Sequence, residues 1–353
     1  MMTDADVLVV GAGPVGLATA IEARLAGLRV TVIEPREGPI DKACGEGLMP
    51  GAVVALARLG VSVDGHDIAG IAYVSGADRV EHLFRTGHGR GVRRTALQPA
   101  LAARAAQLGV HRVVGRVTAV EQPAGAVTAI VSRAGAEGAF TLTADWLVAC
   151  DGLHSGIRRM SGLGLDTSQR SRARFGLRRH FAVAPWSDMV EVHWAPDAEI
   201  YVTPLGPGLV GVAVLGHRGV DFANTIAQSP EMRARLDGAV AAGGLRGAGP
   251  LLQRTRRRSQ GRVLLAGDAS GYVDALTGEG LRVGLGQARA AVRSILANDP
   301  EGYERAWSEG TRDFRVMTAG LLAAARSPLR SRIVPTSVRH PRLFGAAVER
   351  LAR

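Results

Sequence analysis

The chain has 353 residues, 46% of them hydrophobic and 21% charged, which suits about two domains with cores of ordinary size. The formal net charge is +11, but aromatics make up only 4% and the arginines are spread along the whole chain, so nothing points to a nucleic-acid surface. No run approaches the ~18 apolar residues of a membrane span; Cys44 and Cys150 share no metal or redox spacing, and the histidines form no ligand pair, so no metal site is expected.

The two cysteines read as reduced thiols of a cytoplasmic protein. The apolar N-terminus carries Asp4 and Asp6 and lacks a basic leader, so it reads as part of the fold rather than a signal peptide. Lys42 is the only lysine, and the excess positive charge suits anionic small ligands such as nicotinamide dinucleotide phosphates or acyl-carrier substrates.

In chain order, the first predicted unit is a β-branched run, Ala5 to Val10, leading into Gly11-Ala12-Gly13-Pro14-Val15-Gly16. A small-residue helix follows to about Leu25, and a second apolar run, Val30 to Ile33, ends at Glu34. Strand, glycine turn, helix, strand and acid form the dinucleotide fingerprint. Gly11 permits the turn, Gly13 lets backbone approach a pyrophosphate, and Gly16 lets helix and strand pack closely. Pro14 and Val15 open the helix whose N–H groups face the phosphates. Glu34, 23 residues after Gly11 and just before Pro35, stands where an adenosine ribose is held.

A loop from Asp41 to Leu48 contains Lys42, Cys44 and Glu46 among glycines, before a helix at about 50–59. Strands are predicted over 68–84 and a helix from Arg94 to about Leu108. An antiparallel meander follows at 111–121, 126–133 and 138–142, and a buried strand, 146–150, ends in Asp151-Gly152. Long strands run at 175–183, 190–194, 199–203 and 209–215, with helix over 223–243. A short buried strand, Arg262 to Ala266, ends in Gly267-Asp268, and Gly278-Glu279-Gly280-Leu281 opens a helix to about Ala297. The tail from Glu301 reads as helical; Met317 to Ala325 is apolar enough for a greasy substrate or peripheral membrane contact.

Three separated signals occur together: Gly11–Gly16 with Glu34, Asp151-Gly152 with Ser155 and Arg158, and Gly267-Asp268. In this order the chain, over about residues 1–300, resembles FAD-dependent monooxygenases of the para-hydroxybenzoate hydroxylase type and their relatives, the geranylgeranyl reductases. The resemblance implies an α/β fold, with a Rossmann-like FAD-binding domain, an inserted, mostly antiparallel substrate sheet and a helical tail. It divides the chain into an FAD domain (1–72, 92–165 and 253–300), a substrate domain (73–91 and 166–252) and a C-terminal segment, 301–353. It also implies one bound FAD, with NAD(P)H as a transient reductant, since no second fingerprint occurs. Asp268 would meet the ribityl chain, Gly278 to Leu281 the flavin N1 edge, Arg94 the cofactor, and Asp151-Gly152 both FAD and NAD(P)H. Lys42, Cys44 and Glu46 would line the flavin or substrate side of the pocket, with Tyr201, His180 and His193 as candidate substrate contacts. The implied activity is hydroxylation of a phenolic or polyketide-derived small molecule. The segment Gly267 to Gly280 lacks the hydroxylase His and Pro, however, and with Lys42 to Gly47 stands closer to the reductase branch, which implies saturation of a prenyl or polyketide double bond as the alternative.

Overall fold

The computed structural model describes residues 3–133, 138–165 and 173–353. The chain opens with β1 (Ala5–Val10), α1 (Pro14–Leu25) and β2 (Val30–Glu34). β1 and β2 are parallel, Val7 opposite Val30, and almost wholly buried, hence their unbroken apolar runs. Pro14 sits in the first turn of α1, where its missing N–H leaves nothing unpaired. Next come β3 (Gly47–Leu48), α2 (Pro50–Arg58), β4 (His66–Ile68), β5 (Gly70–Ser75), β6 (Asp78–Leu83) and β7 (Gly89–Gly91). β3, β7 and β4 form a small sheet of their own, whereas β5 and β6 join the second large sheet. α3 (Arg94–Gln107) then returns the chain to β8 (His111–Val114), parallel to β2.

β9 (Arg116–Glu121), β10 (Val127–Ser132) and β11 (Ala139–Ala149) follow. Here the structure corrects two expectations. The run at 111–121 breaks at Gly115 into strands with different partners. Conversely, 138–142 and 146–150 are one strand of 11 residues. The first half of β11 pairs antiparallel with β10, the second half parallel with β1, and Ala144 lies opposite both Val127 and Ala5. Its first half is partly exposed and alternates apolar residues with Thr141 and Thr143 before Asp145, so the apolar run is interrupted although the backbone is not.

α4 (Gly156–Met160) precedes β12 (Arg174–Ala182), β13 (Met189–Trp194), β14 (Ala198–Gly206) and β15 (Leu209–His217). The expected start of the insertion, 166–172, lies outside the described residues. The helix expected over 223–243 is instead α5 (Phe222–Ala227), α6 (Pro230–Arg235) and a short strand, β16 (Val240–Ala241). Ser229-Pro230 ends one helix and starts the next: a residue before proline avoids helical backbone, and Ser229 Oγ caps Met232 N. β17 (Arg246–Ala248), β18 (Ser259–Gln260) and β19 (Val263–Leu265) lead to α7 (Gly280–Ala297), α8 (Pro300–Ala325), α9 (Ile333–Arg339) and α10 (Pro341–Ala352).

The first large sheet has the order β18-β19-β11-β1-β2-β8, with β9 and β10 attached through β11; β19, β11, β1, β2 and β8 run parallel. The second has the order β16-β12-β15-β14-β13-β5-β6, with β17 beside β12, and is antiparallel except where β13 meets β5. The protein is thus α/β, a Rossmann-type sheet joined to a mostly antiparallel one and a helical C-terminal region. One core lies between the first sheet and α1, α3 and α7; another, containing Val190, Val192, Trp194, Tyr201 and Leu276, lies where the second sheet meets the tail. Leu322 and Ala325 of α8 are buried in that second core, so the apolar stretch of the tail contributes to packing. No helix among the described residues is long and apolar enough to cross a membrane.

Candidate cofactor and substrate site

The glycine turn after β1 is shaped by backbone crowding. Gly11 has φ +106°, and a Cβ there would lie 2.6 Å from Cys150 O; one at Gly16 would lie 1.9 Å from Gly11 O. Neither position tolerates a side chain. Val15 packs against Gly267 and Gly284, locking α1 to the Gly-Asp turn and α7. Glu34 is buried; its Oε2 accepts a hydrogen bond from Ala12 N–H at 3.0 Å and its Oε1 one from Arg36 Nε at 2.6 Å. The acid is therefore held at the lip of the turn, with Pro35 leading away from it.

Two cations reach over these glycines. The Arg94 guanidinium is 3.7 Å from where a Gly13 Cβ would be, and Lys42 Nζ 3.4 Å from that of Gly152. Lys42 is exposed in area, but desolvation by the groove walls and the Arg36 and Arg94 guanidiniums push its ammonium pKa down, against the pull of Asp268 and Glu34. Asp268 is pushed up by burial, with Arg94, Lys42 and Arg158 opposing. Buried Asp151 Oδ1 and Arg94 Nε have no hydrogen-bond partner. Crowded cations above glycine backbone, with unpartnered polar atoms beside them, fit a polyanionic cofactor with polar edges.

The Gly-Asp turn is held from behind. Arg158, 5% exposed, donates to the carbonyls of Asp268, Ala269 and Leu153 and to Gln253 Oε1. Ser155 caps the helix that carries it, and Asp151 Oδ2 accepts from Gly156 and Ile157 N–H. So the Asp151–Arg158 motif joins the ends of β11 and β19. Gly278 has φ +71° and Gly280 lies against the Tyr272 ring. Glu279, 1% exposed, pairs with Arg282 through Oε2, while Oε1 has no partner; burial pushes its carboxyl up to about 7. Leu281 packs on the first core.

The loop at 41–47 divides its residues. Lys42 faces the cofactor groove, and Cys44 is half-buried, accepting from Glu46 N–H. Glu46, with φ +59°, turns into the second sheet: its carboxylate accepts from Arg94 N–H at 2.8 Å and lies 2.5 Å from His180 Nε2. Arg178, two residues before His180, pairs with Asp41 and lies 3.8 Å from Glu46. Burial pushes the other thiol, Cys150, up to about 12, which keeps it a packing residue. His193 points to the opposite side of the second sheet, between Glu191 (3.0 Å) and Glu231 (3.6 Å), apart from His180. Tyr201 donates its hydroxyl to Leu276 O at 2.7 Å, so it braces the Gly278 turn.

Sequence reasoning missed Gln98, which donates to Ala12 O at 3.3 Å, and Gln287, which accepts from Gly267 N at 2.6 Å. Gln98 stands one helical turn after Arg94, a spacing that would have found it. Arg178 and Asp41 had no local signal.

A family model described as "FAD binding domain" matches residues 4–221. The chain belongs to this FAD-binding family. It is an FAD-dependent oxidoreductase, of a family with both monooxygenase and reductase members. Menaquinone reductase of Mycolicibacterium smegmatis is 29% identical over 343 residues, 87% of this chain and 80% of that one. Digeranylgeranylglycerophospholipid reductase of Methanococcus vannielii is 25% identical, covering 86% and 82%. Rifampicin monooxygenase of Streptomyces venezuelae is 27% identical, covering 80% and 62%. Among solved structures, a flavoprotein/dehydrogenase from Cytophaga hutchinsonii superposes with TM-score 0.82 at 19% identity over 98% of this chain and 92% of that one. A geranylgeranyl bacteriochlorophyll reductase-like protein from Thermoplasma acidophilum gives TM-score 0.74 at 23% identity, over 87% and 83%. FAD fits the crowded cations, glycine backbone and unpartnered Asp151 and Arg94 atoms described above.

Proposed function

We propose that this flavoprotein is a reductase that takes electrons from NAD(P)H and saturates a carbon–carbon double bond of a lipophilic prenyl- or polyketide-type small molecule in the cytoplasm. One observation carries the choice: the two reductases named above match this chain along 80% and 82% of their own lengths, the monooxygenase along 62%. FAD, when bound, supplies the two-electron chemistry that a polypeptide lacks. Everything else belongs to the chain. Gly11, Gly13 and the N-terminus of α1, with Pro14 and Val15, hold the pyrophosphate; Glu34 holds the ribose; Asp268 holds the ribityl chain; Asp151 and Gly152 border it. Arg94 and Lys42 neutralise charge, and Lys42 also favours an anionic reduced cofactor. The start of α7, Gly278 to Leu281, offers its positive dipole end to the same charge.

Substrate lies between the cofactor and the apolar face of the second sheet. Saturation adds a hydride equivalent to one carbon and a proton to its neighbour, and Cys44, in the loop that carries Lys42, is the proton donor of this proposal. Glu46 and His180 act as positioning residues, fixing the loop that carries Lys42 and Cys44. The second reading is NAD(P)H- and oxygen-dependent hydroxylation of an aromatic compound, favoured by the similarity to rifampicin monooxygenase. The two separate in one experiment: NAD(P)H oxidation with prenyl and phenolic panels, with and without oxygen. Anaerobic turnover to a product two hydrogens heavier supports the reductase; strict oxygen dependence with incorporation of one oxygen atom overturns it. Alanine at Lys42, Cys44 or Glu46 is expected to lower turnover about tenfold or more. Wild-type rates in all three variants would remove the loop from the site.

A further inference from the structure

A cleft of about 680 Å³ opens between α8 and the segment 252–258, on the side of the Gly267–Tyr272 turn lined by Trp307. That volume is in the range of small-molecule sites, about 300–1,000 Å³. Its walls carry four arginines, Arg254, Arg258, Arg312 and Arg315, and one carboxylate, Asp268, at the inner end. Arg254, Arg312 and Arg315 make no ion pair with any described residue. The floor is a stack of guanidiniums on a buried indole. Trp307 is 4% exposed and fixed by a 2.8 Å hydrogen bond from its indole N–H to Ser270 Oγ. The Arg258 guanidinium lies 3.7 Å from its ring centroid and that of Arg315 5.1 Å. Two buried polar atoms of residues lining the cleft, Thr311 Oγ1 and Arg258 Nε, have no hydrogen-bond partner, and Thr311 is only 2% exposed. Such atoms carry a desolvation cost that a ligand would relieve.

Each feature constrains the occupant. Guanidiniums on both walls, Arg254 on one side and Arg312 and Arg315 on the other, suit a molecule with more than one anionic group rather than a single headgroup. Flat guanidinium and indole faces suit a flat ring. The inner end is formed by Asp268 and Gly280, the residues assigned to the flavin. We propose that this cleft is the docking site of the pyridine dinucleotide, with its phosphates along Arg254, Arg312 and Arg315 and one ring against the Arg258–Trp307 stack. The assignment rests on the reading above that NAD(P)H is the reductant. It explains how a chain with one dinucleotide fingerprint, already committed to FAD, holds a second dinucleotide.

The test uses the purified holoprotein titrated calorimetrically with NADP⁺ and NAD⁺. Arg254→Glu and Arg315→Glu alter exposed side chains, so FAD content, visible spectrum and dithionite reduction should match wild type. Each reversal is expected to raise the NADP⁺ Kd about tenfold or more, and added salt to weaken wild-type binding. Wild-type Kd in both variants, or binding of dodecyl phosphate at these arginines without competition from NADP⁺, overturns the proposal. If NAD(P)H reduces the wild-type flavin while both reversals leave Kd unchanged, the cleft is wrong and the reductant reading survives. If NAD(P)H never reduces the wild-type flavin, both fall.

Discussion

The two ends of the groove are built by different physics. At the nucleotide end, β1, α1 and β2 are brought together by backbone contact: Gly11, Gly16 and Cys150 O fill one another's space, and Glu34 bonds a main-chain N–H. At the second-sheet end, elements far apart in sequence are tied by largely buried charge: Asp41 and Glu46 to Arg178 and His180, and Arg174 to Glu199 and Asp274, with Arg330 of the tail also on Glu199. Steric fit is intolerant but local. Buried charge is adaptable in partner but fails badly when half of it is removed.

The largest effect is expected at the backbone end. Gly16→Val places carbon inside contact distance of Gly11 O, so we expect loss of bound FAD and a cost of about 3 kcal/mol or more, read by flavin absorbance and thermal unfolding. Retained FAD with an unchanged Tm would refute steric control. At the charged end, Arg174→Met leaves Glu199 and Asp274 buried with less compensation; about 3 kcal/mol is expected from urea unfolding. The FAD of the remaining folded protein should still be bound, since the defect lies at the other end.

Glu279 gives a smaller, pH-dependent effect. Its folded-state carboxyl is raised by burial from 4.5 to about 7, so between those values the unfolded chain loses its proton first. Stability should therefore fall as pH rises from about 4.5 to 7, by up to about 3 kcal/mol, and level off above. Glu279→Gln should flatten that slope; an unchanged pH profile of the urea midpoint would show that the carboxyl is not protonated in the fold. The smallest effect belongs to Arg36→Gln. Its pair with Glu34 is half exposed, so it should contribute less than about 1 kcal/mol, while Glu34 keeps its bond to Ala12.

The same contrast decides what could be read from the chain. Gly11 to Glu34 was legible because its strand, glycine turn, helix and acid lie in one strand–helix–strand unit with local periodicity and glycine spacing, although Cys150 O and Gln98 also reach it from afar. Gly267-Asp268 and Asp151 were legible as strand ends. The roles of Glu46 and His180 were not, because the hydrogen bond that defines them spans 134 residues and leaves no period. Lys42 attracted notice by its composition, and the structure places it over Gly152. β11 was misread as two strands because exposure changes along it, and 223–243 as helix because Ser229-Pro230 was not weighed as a break.

β11 also makes the meander a ruler. The hairpin with β10 sets the phase of a strand whose far end leads into Asp151 and offers its flanks to β1 and β19. Side chains alternate along a strand, so removing one residue within 139–143 would turn Trp146, Val148 and Cys150 toward the opposite layer unless the hairpin slipped instead. The outermost, least buried part of the first sheet thus sets the register of its centre. Deletion of a single residue in 139–143 should therefore be tolerated less well than the partial exposure of that segment suggests, and amide exchange in β10 should slow together with that in β1.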